Sequence, residues 1–314
     1  MSDTSPPPLA DRLRDTALGF AMYAPIAVAR LLPYRWRVPF MGWVTSRIIA
    51  PVAGYDARVR DNLAHVLPDL PESEVRRLIR AVPDNAGRNM IELYSPDTFI
   101  ARARKAPVDG PGLEVIRAAR AEGRPVIFVT GHFGNFNAAR VAMIEQGFEM
   151  GIFYRPMAND FFNRRYTHAM GTISQPMFEQ GRRGMMQMVK HLRSGGVLAI
   201  LTDLNSLDGV PLDFFGKPAL SPLATAELAL KYNAPLVPVW GIRDPDGINF
   251  HVHVESPVPF TDPVTMTQEV NDRLEAQVRA RMEQWFWIHR RWKDGTGPLA
   301  KRGKKQLAAY RKKA

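Results

Sequence analysis

The sequence predicts an α/β fold, a central and mostly parallel mixed sheet flanked by helices, on three observations. Short apolar runs rich in β-branched residues lie at 126–130 (VIFVT), 148–154, 197–202 and 235–240, and read as strands. Segments with helical caps and glycine stops alternate with them, which is the pattern of a layered sheet. The 314 residues, 46% hydrophobic and 23% charged, are ordinary globular usage. That size suits one large domain or two small ones and excludes a disordered or fibrous chain.

In chain order, residues 1–16 are expected to be a flexible start, with three prolines and with Asp3, Asp11 and Asp15 set against Arg12 and Arg14. That acidic flank argues against a secretory signal, although residues 17–29 form an uncharged run of 13 that ends in an A-x-A triplet. Pro25 interrupts the run, which is also shorter than the roughly 20 residues that span a bilayer. Residues 36–55 set Trp36, Trp43 and Tyr55 among Arg37 and Arg47, a composition that fits either a core helix pair or a segment lying at a membrane interface. Residues 17–58 are accordingly expected to be a helical, membrane-associating segment, and residues 59–298 the α/β body.

The body opens with helices on either side of the Pro68-Asp69-Leu70-Pro71 turn, the second started by Glu72, Ser73 and Glu74. Strand 126–130 leads into Gly131-His132-Phe133-Gly134, and Asn135 is the expected N-cap of a helix over 136–146 that Gly147 stops. A helix over 185–193, a strand over 197–202, a helix near 223–232 and a strand over 235–240 follow. After Asp244-Pro245-Asp246-Gly247, residues 248–255 alternate strictly, with Asn249, His251, His253 and Glu255 on one face. Two His at this spacing without a third ligand read as half-exposed strand residues, so no metal site is expected. Thr265 with Gln268 reads as the cap of a last long helix in which Val270, Leu274, Val278 and Met282 recur.

The absence of cysteine excludes thiol nucleophiles, disulfides and Cys-ligated metal or iron–sulfur sites. Net charge is +11, and residues 289–314 hold most of it, with ten Lys or Arg against one Asp. Residues 299–314 are expected to be a loose basic tail. The tail alone would suggest a nucleic-acid arm, but no recognition motif accompanies it.

In open sheets of this kind ligands gather at the carboxyl ends of strands. His132 stands there, two residues beyond Thr130, between glycines that permit a tight turn. An imidazole beside a helix N-terminus suits a general base with an anion site next to it.

The block Gly131-His132-Phe133-Gly134-Asn135-Phe136 resembles the His-x4-acid block of the lysophospholipid acyltransferase superfamily, in its lipid A late acyltransferase branch. Asn62-Leu63, Gly87-Arg88-Asn89 to Glu92, Tyr154-Arg155-Pro156, Leu192 to Asp203, Phe214-Phe215-Gly216-Lys217-Pro218-Ala219 and Trp285 to Lys293 resemble that branch in the same order, over roughly residues 15–295. The resemblance implies a glycerolipid-acyltransferase-like fold. It also implies transfer of a fatty acyl chain from acyl carrier protein to a hydroxyl of a membrane lipid, a lipid A precursor or a lyso-lipid, at the cytoplasmic face of the bacterial inner membrane, without a cofactor. His132 would be the base, backbone amides near Gly134 and the helix start would supply the oxyanion donors, and Gly134 and Asn135 would help to bind substrate. Arg155 would bind phosphate or another anionic headgroup, and Asp203 would organise Arg155. The basic tail would add attraction to an anionic membrane surface and to the acidic carrier protein.

The sequence departs from the branch where Asn137 stands in place of the usual Asp or Glu five residues after the His, and again at Leu204, where the branch has Gln. An amide can orient an imidazole but cannot compensate its charge. An active enzyme would then need its imidazolium stabilised by Asp203 or by the substrate. The alternative is a weakened or inactive relative that keeps the fold to bind lipid or acyl carrier protein.

Overall fold

The computed structural model describes residues 9–293 and 298–311. The first half is helical: α1 (Leu9–Ala29), α2 (Tyr34–Val44), a π-helical turn (Thr45–Ile49), α3 (Ala50–Ala53), α4 (Tyr55–Val66), α5 (Glu72–Leu93) and α6 (Pro96–Ala103). The α/β part then runs β1 (Val108–Asp109), α7 (Gly112–Ala121), β2 (Val126–Thr130), α8 (Phe136–Glu145), β3 (Met150–Tyr154), α9 (Asp160–Gly171), β4 (Met177–Glu179), α10 (Arg182–Arg193) and β5 (Val197–Leu201). It ends with β6 (Val210–Phe214), β7 (Lys217–Ser221), α11 (Ala224–Tyr232), β8 (Leu236–Arg243), β9 (Phe250–Val254), α12 (Pro263–Ala280) and α13 (Pro298–Arg311).

Seven strands form one sheet in the order β1-β9-β8-β2-β5-β3-β4. From β8 to β4 all pairs are parallel, and β9 is antiparallel to β8. The sheet is thus mixed and mostly parallel, as the alternation of strand and helix signals predicts. Its two faces are distinguished residue by residue along β2. Val126 and Phe128 join the core under α5, α6 and α8, whereas Ile127 and Val129 join the core under α10, α11 and α12. A third cluster gathers Trp240, Trp285, Trp287, Phe133 and Phe214 with the inner faces of α4 and α5. The β6–β7 hairpin closes over it through a two-residue turn, Phe215-Gly216, with both residues at positive φ.

Three boundaries differ from the expectation. Helix α1 already begins at Leu9, so only residues 1–8 of the expected flexible start lie outside the described residues. Asp262, not Thr265, caps α12, because its carboxylate reaches the N–H groups of both Val264 and Thr265. Most of the expected loose tail is the helix α13, with Leu307 buried and the Tyr310 hydroxyl donating to Glu227 at 2.6 Å. Residues 312–314 lie outside the described residues.

Among the described residues no helix is long and apolar enough to cross a membrane. The N-terminal helices and the turn between α1 and α2 present large apolar side chains to solvent, including Leu31 of the turn at 84%, Trp36 at 71% and Val52 at 88% exposure.

Candidate active site

The site is set by the register of two parallel strands. Thr130 on β2 pairs with Leu201 on β5, so the residues two beyond each, His132 and Asp203, meet at the carboxyl edge of the sheet. His132 Nδ1 lies 2.8 Å from Asp203 Oδ1, and the His132 backbone N–H donates to Asp203 Oδ2 at 2.7 Å. Trp285 Nε1 donates to the same Oδ2 at 2.9 Å. Burial alone would raise the Asp203 pKa. The adjoining imidazole and these three hydrogen bonds outweigh it and hold the carboxyl at about 2. An ionised carboxylate can only accept, so the proton of a neutral His132 sits on Nδ1 and Nε2 carries the lone pair.

Of the two places expected for Asp203, beside Arg155 or beside the imidazole, the structure gives the second. Asn137 was weighed as the residue that orients the imidazole, yet its Oδ1 accepts from Arg140 Nη1 at 2.8 Å instead. Arg140 also donates to Ser174. Burial pushes its pKa down to about 10, and no carboxylate pairs with it among the described residues. Arg155 is exposed at the end of β3, with no side-chain partner among the described residues, so the structure does not bring it to Asp203.

Gly134 and Asn135 form the turn between His132 and α8. Gly134 has φ +54°, and an added Cβ would run into the carbonyl oxygen of Gly241, so this turn needs glycine. Its N–H donates to the Gln284 carbonyl at 2.8 Å, and its own carbonyl accepts from Asn89 Nδ2 at 2.7 Å. The Asn135 N–H donates to Gly241 O at 2.7 Å, while its side chain caps α8 by accepting from Ala138 N and donates to Glu92 Oε2. These hydrogen bonds hold the turn beside His132.

Beneath the turn lies a buried network that the sequence reading did not identify. Arg243, at the end of a strand buried at all eight positions, makes a bidentate ion pair with Glu92 through two bonds of 2.6 Å. Arg243 also donates to Asn85 and Asn89, whose amides reach the Gly134 carbonyl. The available signal was a charge closing an otherwise apolar strand, together with a Glu that the helical pattern of α5 turns inward.

His132 opens into a cavity of about 250 Å³ whose walls include Val82, Ala86, Met90, Leu93, Phe136 and Met157. The ring is 27% exposed and contacts Phe136 and Phe286. With Asn85, Asn89, Asn137, Tyr166 and Gln284 among the remaining lining residues, such a chamber can take an apolar chain with a polar end at the imidazole.

His289 also lies near this pair. Its Nε2 accepts from the Asn205 N–H at 2.8 Å, and burial pushes its pKa down to about 4. An unfolded histidine titrates near 6.5, so as pH falls from about 6.5 toward 4 only the unfolded chain takes up the proton. The folded state is expected to lose about 1–3 kcal/mol across that window, after discounting for the ring's partial exposure. Urea titrations at pH 7 and pH 4.5 measure the loss, which His289→Gln should reduce.

His251 and His253 do have a third neighbour. Asp109 on β1 sits between them, at 2.9 Å and 2.6 Å. The arrangement ties β1 to β9.

A partly exposed histidine held by a buried aspartate at the mouth of a largely apolar chamber is an arrangement that can move a proton to or from a group carried on an aliphatic chain. The family model "Bacterial lipid A biosynthesis acyltransferase" matches residues 10–294, so the chain belongs to that family and is an acyltransferase acting on lipid. It is 29% identical over 248 residues to the lipid A biosynthesis lauroyltransferase of Escherichia coli K12, covering 75% of this chain and 78% of that one. It is 25% identical over 245 residues to the phosphatidylinositol mannoside acyltransferase of Mycobacterium tuberculosis H37Rv, covering 76% and 78%. The crystal structure of the 1-acyl-sn-glycerophosphate acyltransferase PlsC from Thermotoga maritima aligns with TM-score 0.36 and 15% identity, over 73% of this chain and 96% of that one.

Proposed function

We propose that the protein moves a fatty acyl group from an acyl carrier protein thioester to a hydroxyl of a membrane lipid, with His132 as general base. The observation that carries this is the Asp203–His132 pair, which leaves Nε2 as a base at the open end of an apolar chamber. The acceptor oxygen attacks the thioester carbonyl carbon while Nε2 takes its proton. The C–S bond then breaks, and the imidazolium returns the proton to the leaving thiolate. Asp203 stabilises the imidazolium in between, so the ring needs no covalent acyl-enzyme and no further acid. The oxyanion is met by the first N–H groups of α8, those of Phe136 and Asn137, which a helix leaves without intrahelical partners. Arg155, solvent-facing beyond β3, takes an anionic group of the acceptor.

Asp203 also weighs against an inactive relative, because the charge missing at Asn137 is supplied from another strand. The exposed Leu31, Trp36 and Val52 and the basic helix α13 suit a protein held on an anionic membrane surface, which in this reading is the cytoplasmic face of the bacterial inner membrane. Purified protein given acyl carrier protein thioester and a lyso-lipid acceptor is expected to form acylated lipid, and His132→Ala to abolish it. A blank assay with the unaltered protein across lyso-phospholipid and lipid A precursor acceptors would sink the reading.

A further inference from the structure

On the face of α5 turned away from the His132 cavity lies a second, larger feature. Two adjoining clefts of about 670 and 560 Å³ run between α5 and the π-helical turn, and both are lined by Ser46, Arg47, Arg76 and Arg80. At 100° per residue, the positions of α5 that line the clefts and those that line the His132 cavity fall on opposite sides of the helix.

The charges in the clefts are unevenly matched. Arg60 is paired with Glu72, Arg77 with Glu74 and Glu283, and Asp84 with Arg88. Arg47, Arg76 and Arg80 have no ion pair among the described residues. Asp56, the carboxylate that Arg80 approaches, has its pKa raised by burial, which weakens it as a counter-charge. Arg76 and Arg80 are also four apart on one helix, a like-charge spacing that weakens an isolated helix. The three guanidinia thus line the same two clefts without an ion-pair partner among the described residues.

The rim indicates which anion. Trp43 lines the first cleft, and Ile48 and Val52 directly follow the lining residues Arg47 and Pro51 in the chain; the three are 52%, 51% and 88% exposed. Arginine next to an indole and aliphatic side chains that face water is the composition of a lipid–water boundary. An acidic protein surface would match the guanidinia but leave these apolar groups against polar ones.

We propose that this groove is a headgroup site for a phosphate-bearing lipid of the membrane surface. Arg47, Arg76 and Arg80 hold the phosphate, and Trp43, Ile48 and Val52 enter the leaflet beside it. It is separate from the acyl-transfer site and would orient the protein so that the His132 cavity faces lipid. It draws on the proposed function only in placing the substrate in a membrane.

The test is vesicle binding by the full chain, with vesicles of phosphatidylcholine alone or mixed with phosphatidylglycerol. A triple variant, Arg47→Gln/Arg76→Gln/Arg80→Gln, is expected to bind the anionic vesicles about 100-fold more weakly, about fivefold for each charge. Its turnover on detergent-dispersed substrate should stay unchanged, which separates failure here from failure of the catalytic reading. Charge-preserving Arg→Lys exchanges at the same positions should keep most of the affinity. Quenching of tryptophan emission by brominated phosphatidylglycerol should fall in Trp43→Phe. Equal vesicle affinity of the triple variant and the unaltered protein would overturn the proposal. So would lost affinity for acyl carrier protein with vesicle binding intact, which would make the groove a protein-docking surface.

Discussion

Asp203→Asn is expected to lower turnover by about 10³–10⁴-fold with little change in KM, the scale of loss when the orienting Asp of a His-Asp pair becomes an amide. The cause is electrostatic as much as geometric. An Asn side chain can occupy the same volume, but it offers one acceptor and one donor group where three donors converge: His132 Nδ1–H, the His132 backbone N–H and Trp285 Nε1–H. The amide NH₂ meets at least one of them head-on and favours the wrong imidazole tautomer. It also leaves the imidazolium without a counter-charge. Because Asp203 is buried, the exchange will cost stability as well, so thermal unfolding must accompany the kinetics. Trp285→Phe provides the comparison: it removes one of the three donors and leaves the charge in place, and its kinetic loss should be far smaller than that of Asp203→Asn.

The second large effect lies below the catalytic turn. Glu92→Gln is expected to destabilise the fold by about 3–5 kcal/mol, because it leaves the Arg243 guanidinium buried without its counter-charge. Glu92 is fully buried and Arg243 nearly so, and the carboxylate also accepts from Asn135 Nδ2. The urea midpoint should fall without a change in slope. Replacing both partners by apolar residues, Glu92→Leu with Arg243→Met, should recover part of the loss, since no lone charge is then buried. The double variant should still be slow, because Asn85, Asn89 and Asn135 lose the groups that hold them around Gly134.

What was legible in the sequence was local. The β-branched run before Gly131, the cap at Asn135 and the glycine stop at Gly147 involve residues within a turn of one another, and β2, α8 and β3 fall close to where they predict. The partner of His132 was not local. It is 71 residues away and is fixed by the pairing of β2 with β5, which strand signals alone do not give. A search confined to the residues just after the histidine meets Asn137, whose side chain turns toward Arg140 on its own helix. The Phe215-Gly216 turn was missed for another reason: Phe215 adopts positive φ, which a bulky residue does only where the surroundings hold it, here among Phe214, Trp287 and Trp292. The basic end was misjudged because charge count alone hides the apolar residues, such as Leu307, that dock α13.

The most direct test of the His132–Asp203 assignment is to measure acyl transfer by Asn137→Asp and Asp203→Asn beside the unaltered protein, under one donor and one acceptor. If Asp203 is the acid partner, Asn137→Asp stays within a few-fold of the unaltered enzyme and Asp203→Asn is nearly silent. If the unaltered protein is silent and Asn137→Asp switches activity on, the acid belongs at 137 and the assignment of Asp203 is wrong.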